Sequence, residues 1–427
     1  MSDELIVLLD GRKVGHLRKG ARGRVTFVYT DEWRNTPHAY PLSLSMPMAA
    51  QEHGPASVEA FLWGLLPDNE AVLGRWAAKF QVSARNPFAL LSHVGGDCAG
   101  AVQFVLPERL ESISSGELDT IEWLDDQAIA DRLRALREDH TAWRLPRDTG
   151  QFSLAGAQPK TALLYTSRWG IPHGRIPTTH ILKPPAGQFD GHAENEHVCL
   201  SLARALGLPA ASSRVMHFGN EVAIVVDRYD RQRSRTGVTR VHQEDMCQAL
   251  GVMPTMKYQN EGGPSVAGIV ELLRTQSSDR GADVRTFVQA VAFNWLIAGT
   301  DAHAKNYSLL IAAGPRVRLA PLYDIASVLP YPELNFRKLK LSMKIGGEYE
   351  IHQIGLRHWQ RLAAEIRFNE KELLEEIRVM AERLPDEVAR ACVTAREEGL
   401  EHGLIDRLAD ALIERAAACL RMFKATA

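Results

Sequence analysis

The sequence predicts an α+β chain in two lobes, strand-rich first and helical second, with an extra α+β subdomain in front. Three observations predict it. Short apolar runs broken by Asp10-Gly11 and by Gly20 to Gly23 open the chain as hairpins. Strand-like runs return between Thr161 and Val226, after which the apolar spacing becomes helical. The stretch Val284 to Ile297, apolar on nearly every side, then runs straight into Gly299 to Ser308, GTDAHAKNYS.

Composition narrows the class. A chain of 427 residues is long enough for two or three cores. Lys plus Arg is 50 against Asp plus Glu 52, which excludes a global basic field, so any nucleic-acid contact comes through a local patch or a partner. The cysteines, Cys98, Cys199, Cys247, Cys392 and Cys419, are odd in number and scattered without a C-x-x-C pair. That pattern points to reduced thiols and a cytoplasmic location, and away from structural zinc. The opening MSDELIVLLDGRKVG has no secretory pattern and no apolar run reaches about 18 residues, so no membrane role is expected.

Residues 1–106 read as one α+β subdomain. Leu5 to Leu9, Val14 to Leu17 and Arg24 to Tyr29 form a small antiparallel sheet; Ser57 to Leu66 and Ala71 to Phe80 are helices. Ala89 to Val94 and Ala101 to Val105, either side of Gly95-Gly96, are read as a return to sheet. This part serves as scaffold or docking surface. Residues 107–150 are a charged connector with one helix over Gln127 to Glu138, broken by Asp148-Thr149-Gly150.

In residues 151–231, FSLAGAQPKTALLY sets Ala155 and Ala157 around Gly156 ahead of a strand, a composition that lets main-chain N–H groups approach a phosphate. Thr179 to Leu182 is a strand that delivers Lys183 and stops at Pro184-Pro185. Ala193 to Leu206 is a helix capped by Gly207, and one of Glu194 and Glu196 in its first turn, Glu196 by preference, is the expected partner of Lys183. Glu221 to Val226 is a buried strand leaving into Asp227-Arg228-Tyr229, the place of a hinge.

Residues 232–427 read as mainly helical, with helices over Glu244 to Leu250, Val266 to Leu273 and Val284 to Ile297. Further helices start near His358, at the Asn369 cap, and at Pro385-Asp386, and the last covers Ile405 to Phe423. Within this part Asp301 and Asn306 stand five residues apart, as in a phosphotransferase loop where Asp orients the attacking hydroxyl and Asn holds Mg²⁺. Tyr307 to Ala312, the Gly314-Pro315 turn and Val317 to Leu322 form a hairpin leading to Tyr323-Asp324, where Asp324 supplies a second metal oxygen. Small-residue loop, strand lysine, acidic helix, hinge, core helix, Asp-x-x-x-x-Asn and Asp, in that order, predict a protein-kinase-like fold using ATP and Mg²⁺.

The same stretches resemble a known family. SLAGAQPKTALL, THILKPP, ENEHVCLSLARALGL, EDMCQALG, FNWLIAGTDAHAKNYSLL and LAPLYDIAS are similar to the HipA family of toxin serine/threonine kinases, as are GRKVGHL, PLSLSMPM and LLPDN in the N-terminal part. The resemblance implies Asp301 as the catalytic residue, with His303, Lys305 and Asn306 lining the nucleotide and metal site and Asp324 on Mg²⁺, beside Tyr323. It also implies Lys183 on the phosphates, Ala155, Gly156, Ala157, Gln158 and Lys160 as their cover, Asp227, Arg228 and Tyr229 as the adenine hinge, and Ser153 as an autophosphorylation site. It implies a serine of an aminoacyl-tRNA synthetase of the glutamyl type as substrate, inhibition of translation, and persistence. A small helix-turn-helix antitoxin would neutralise the chain and bring it to operator DNA as a co-repressor.

Pro159 departs from the family pattern and removes one N–H from the phosphate loop. Ala364, between Arg361 and Arg367, stands where a basic residue is usual, which leaves operator contact mainly to the antitoxin. Two other readings use the same residues: a small-molecule kinase of the antibiotic-phosphorylating kind, and a catalytically quiet ATP-binding co-repressor.

Overall fold

The computed structural model describes residues 3–20, 23–143, 152–185, 189–235, 237–314 and 316–424. The expected break at Asp148-Thr149-Gly150 and the Pro315 turn residue lie outside them. The chain divides into two compact units. The first comprises Met1–Ala186, Met216–Thr255 and Leu309–Arg318; the second comprises Gly187–Val215, Met256–Ser308 and Leu319–Ala427.

The first unit holds two large sheets. Glu4–Leu9 (β1), Arg12–Lys19 (β2), Val25–Tyr29 (β3), Glu52–His53 (β4) and Val102–Val105 (β5) form an antiparallel sheet in the order β4-β3-β2-β1-β5. Leu5, Val7, Phe27 and Tyr29 from it bury against Phe61, Leu62 and Trp76 of the helices Pro55–Gly64 and Glu70–Phe80. One expectation fails here. Ala89 to Val94 belongs to a helix, Pro87–Val94, because Asn86 caps the Ala89 N–H and Pro87 takes the first helical position. A short apolar run carries no period of its own, so the cap decided it.

The second sheet is built from Ile121–Leu124 (β6), Thr161–Tyr165 (β7), Trp169–Pro172 (β8), His180–Lys183 (β9), Ser213–Phe218 (β10) and Glu221–Asp227 (β11), in the order β10-β11-β9-β7-β8-β6. The stretch expected only to connect therefore supplies an edge strand, β6, paired antiparallel with β8. Its helix Asp126–Glu138 buries Ile129 and Leu133 among Leu163, Leu182 and Val225. Arg134 and Arg137 of that helix both reach Glu221 at the start of β11.

Residues 232–255, grouped by pattern with the helical part, pack within the first unit. The Gln248 amide donates to the Phe61 carbonyl at 2.9 Å, and His242 Nε2 donates to the Leu42 carbonyl at 2.8 Å. Burial pushes the His242 imidazole down to about 4, so it stays neutral. The expected helix from Glu244 starts only at Met246, since Asp245 and Gln248 close a capping box and Glu244 lies in the strand His242–Asp245.

The second unit is helical: His192–Ala205, Val266–Gln276, Arg280–Leu296, Leu356–Glu365, Glu370–Glu397 and Leu404–Lys424. Arg280–Leu296 is buried on most sides through Val284, Phe287, Val291, Phe293 and Trp295. A helix beginning at Pro385-Asp386 is not found; Glu370–Glu397 runs through Pro385 unbroken. Its apolar face, Leu373, Ile377, Met380, Leu384, Val388 and Cys392, continues across the proline. That burial outweighs the one hydrogen bond a proline removes. All five cysteines are buried free thiols.

Candidate active site

In the second unit the site begins where the buried helix Arg280–Leu296 ends. The Gly299 N–H donates to the Asn294 carbonyl at 2.7 Å, and a Cβ on Gly299 would lie 2.4 Å from Asn294 Oδ1, so only glycine fits this exit. The Asn294 amide is itself held by the Ala290 carbonyl and the Tyr307 hydroxyl. On the far side, Ser342 Oγ donates to the Thr300 carbonyl at 2.7 Å.

The loop that follows closes on Asp301. Its carbonyl accepts from the His303 N–H at 2.8 Å and from Asn306 Nδ2 at 2.7 Å. Holding the amide nitrogen there turns the Asn306 oxygen, the atom a hard cation takes, to the opposite side. The Asp301 side chain is 68% exposed, whereas His303, Lys305 and Asn306 are buried. Asp301 Oδ1 accepts from the Tyr258 hydroxyl at 2.9 Å, and His303 Nε2 lies 3.9 Å from the same oxygen.

Tyr323 ties the next expected residues to this loop. Its hydroxyl donates to the Lys305 carbonyl at 2.6 Å and lies 2.6 Å from Ser308 Oγ. Leu322 is anchored on both sides, its N–H to Pro209 O and its carbonyl to the Ala211 N–H, each at 2.8 Å. Asp324 follows in the left-handed region at φ 57°, a conformation that non-glycine residues hold where surrounding contacts enforce it. Glu196 is buried on the helix His192–Ala205. The second unit thus collects Asp301, His303, Lys305, Asn306, Tyr323, Asp324 and Glu196.

The remaining expected residues belong to the first unit. Gly156 has φ 100°, and a Cβ there would meet Lys160 Nζ at 2.6 Å. Lys160 Nζ donates to the Ala155 carbonyl at 2.7 Å and lies 5.2 Å from the Trp143 ring centroid, so it braces the loop from within. Gly156 also bridges to Pro67, with the Asp68 N–H donating to its carbonyl, while Ala157 is exposed and Gln158 half-buried. Ser153 is fully buried; its hydroxyl donates to the Leu65 carbonyl at 2.8 Å and its N–H to the Asp97 carbonyl at 3.0 Å. Lys183 ends β9, buried, paired in register with Ile224.

The hinge residues carry a network that spacing did not reveal. Arg228 sits among Asp97, Thr178, the Cys98 carbonyl and Asp230. Arg231 and Arg240 reach the same Asp97 at 2.9 and 3.0 Å. Burial alone would raise the Asp97 carboxyl, but Arg231, Arg240 and Arg228 hold it well below the usual carboxylate range. Asp227 pairs with His180 at 2.9 Å, and the Tyr229 hydroxyl donates to Gln243. Tyr258 and Asp97 were both missed, since each meets its partners across the fold and not along the chain.

Comparison with known proteins gives the family. Residues 152–388 match the HipA-like C-terminal domain and residues 5–105 the HipA N-terminal domain. The chain is 37% identical over 418 residues to "Putative kinase Y4mE" of Sinorhizobium fredii, covering 96% of this chain and 97% of that protein. It is 30% identical to the serine/threonine-protein kinase toxin HipA of Shewanella oneidensis over 76% of this chain and 74% of that one. The solved structure of the Shewanella oneidensis HipA, HipB and operator DNA complex superposes with a TM-score of 0.83 at 26% identity, covering 99% of this chain and 98% of that one. With both domain families matched in order and the Shewanella oneidensis toxin 30% identical over three quarters of each chain, the chain belongs to the HipA family of serine/threonine kinases.

Proposed function

We propose that this chain is the toxin of a toxin-antitoxin module, a kinase that transfers the ATP γ-phosphate to a serine of an aminoacyl-tRNA synthetase of the glutamyl type and so inhibits translation. The observation that carries the kinase assignment of residues is the locked loop: an exposed Asp301 carboxylate beside a buried Asn306 whose amide is fixed on the Asp301 carbonyl at 2.7 Å. Asp301 orients the serine hydroxyl and takes its proton as the serine oxygen bonds to phosphorus and the bond to the ADP oxygen breaks. Asn306 and Asp324 would hold Mg²⁺ through their side-chain oxygens, and the ion would neutralise charge on the transferring phosphoryl group. Lys183 and the loop from Ala155 to Lys160 meet the phosphates. His303, Lys305 and Tyr323 shape the loop that carries Asp301 and Asn306, and Asp227 to Tyr229 offer main-chain groups to the purine.

Ser153 is the self-inactivation site. Its side chain has no room for a phosphate where it donates to Leu65, so phosphorylation expels the segment. A charge of about −1.5 to −2 three residues before Gly156 then repels the ATP phosphates. The Shewanella oneidensis structure includes HipB and operator DNA; by analogy a helix-turn-helix antitoxin neutralises this chain and carries most of the DNA affinity, consistent with its near-balanced charge. Buried free thiols support a cytoplasmic location, and no helix among the described residues is long and apolar enough to cross a membrane.

The test is intact mass and peptide mapping after incubation with MgATP, for the wild type and Asp301→Asn. One phosphate on Ser153 in the wild type alone supports the assignment, and transfer to purified glutamyl-tRNA synthetase supports the substrate. Phosphate on neither chain, with ATP still bound, would return the co-repressor reading.

A further inference from the structure

The loop that presents Tyr258 is built with unusual constraint. The Tyr258 carbonyl accepts from the Glu261 and Gly263 N–H groups, both at 3.0 Å, closing a tight turn. Gly262 has φ 93°, and a Cβ on Gly263 would lie 2.0 Å from the Met256 carbonyl oxygen, so no side chain fits there. Gln259 Oε1 accepts from the Lys344 N–H at 2.7 Å, which pins the turn to the strand Lys340–Ile345. The Ala304 N–H reaches the Lys257 carbonyl at 3.4 Å, joining the turn to the loop after Asp301. The Tyr258 ring stands edge-on to His303, 5.1 Å between centroids. Its hydroxyl is thereby delivered to Asp301 Oδ1 at 2.9 Å from 43 residues away in the chain.

We propose that Tyr258 is a positioning residue for phosphoryl transfer: by donating to one carboxylate oxygen it fixes the Asp301 rotamer and presents the other oxygen to the substrate hydroxyl. This rests on the reading of Asp301 as the base. A base displaced by an ångström loses much of its effect. Other charged groups facing Asp301 and its loop are His303, 3.9 Å from the same oxygen, Lys305 within the loop, and Lys257, whose ammonium lies 5.4 Å from the Tyr258 ring centroid.

The experiment measures total phosphate transfer from MgATP, as phosphoprotein plus inorganic phosphate, for full-length wild type, Tyr258→Phe and Asp301→Asn, against ATP concentration. In Tyr258→Phe the maximal rate should fall about tenfold, the size expected for a hydrogen bond to a charged group. The half-saturating ATP and the melting temperature should stay unchanged, a split between rate and binding that a merely structural role would not give. Gly263→Ala, which displaces the turn, should add little to the Tyr258→Phe defect when the two are combined. A Tyr258→Phe chain as fast as wild type, with Asp301→Asn inactive, overturns the proposal and leaves the base assignment standing. An active Asp301→Asn chain overturns both.

Discussion

Asp97 and Asp301 carry the same functional group into opposite surroundings. Asp97 is 6% exposed and accepts from Arg231, Arg240, Arg228 and both the N–H and hydroxyl of Thr178. With Asp230, two carboxylates stand against three guanidinium groups, so the cluster holds a net positive charge. Asp301 has a side chain 68% exposed and takes a neutral hydroxyl from Tyr258. A carboxylate whose lone pairs are filled by cations in the interior cannot receive a substrate proton; one that stands largely in solvent can. The first kind of aspartate organises structure, and the second is the one we propose for the chemistry.

Substitution should separate the two sharply. Asp301→Asn is expected to reduce phosphate transfer by about 10²–10⁴-fold, the range for loss of a general base, with an unchanged melting temperature. Asp97→Ala is expected to do the reverse. Removing one partner of a buried ion network leaves guanidinium groups uncompensated and costs about 3–5 kcal/mol, read as a lower denaturant midpoint. Because the folded Asp97 pKa is depressed, its stabilisation is complete above the unfolded value of about 4 and is lost only as pH falls below that. The deficit of Asp97→Ala should therefore be constant from pH 5 to 8 and narrow only in acid. A deficit that varies across that range would break the comparison.

Glu244 supplies a third carboxylate, buried in the first unit with no guanidinium among its recorded partners. Its Oε1 accepts from the Leu44 N–H at 2.8 Å while Oε2 is buried without a hydrogen-bond partner among the described residues. Burial pushes its carboxyl up to about 8. A raised folded pKa means stability that is present below the unfolded value and lost as pH rises toward 8, at no more than about 1.4 kcal/mol per pH unit. Glu244→Gln should flatten that slope between pH 5 and 8, measured by denaturation at each pH; an unchanged slope would assign the dependence elsewhere. The smallest effect is expected at Ser153, whose N–H hangs on the Asp97 carbonyl. Ser153→Ala loses one buried hydrogen bond, about 1 kcal/mol, and should retain ATP binding, whereas Ser153→Asp should weaken it in equilibrium titration.

Much of this was legible before any coordinates. Asp10-Gly11 announced the first hairpin, the all-round apolar pattern announced Arg280–Leu296, and the five-residue spacing of Asp301 and Asn306 announced their loop. Each signal is local, since a turn, a helical period or a short loop is decided within a few residues. Local signals misled where a second one competed. Pro385 reads as a helix start and Ala89 to Val94 as a strand, yet a continuous apolar face carried one helix through the proline and an asparagine cap made the other. The strand Ile121–Leu124 was hidden by its charged setting, because an edge strand half open to water needs little apolar content.

By itself, then, the chain determined its class, much of its order of elements and the spacing of Asp301 and Asn306, all of which depend on neighbours in sequence. Only the tertiary structure decided which aspartate is buried among guanidinium groups and which is exposed. Asp97 meets Arg240 across 143 residues and Asp301 meets Tyr258 across 43. Charge state and orientation follow from the groups that folding brings within about 3 Å, and no pattern in the linear sequence encodes that proximity.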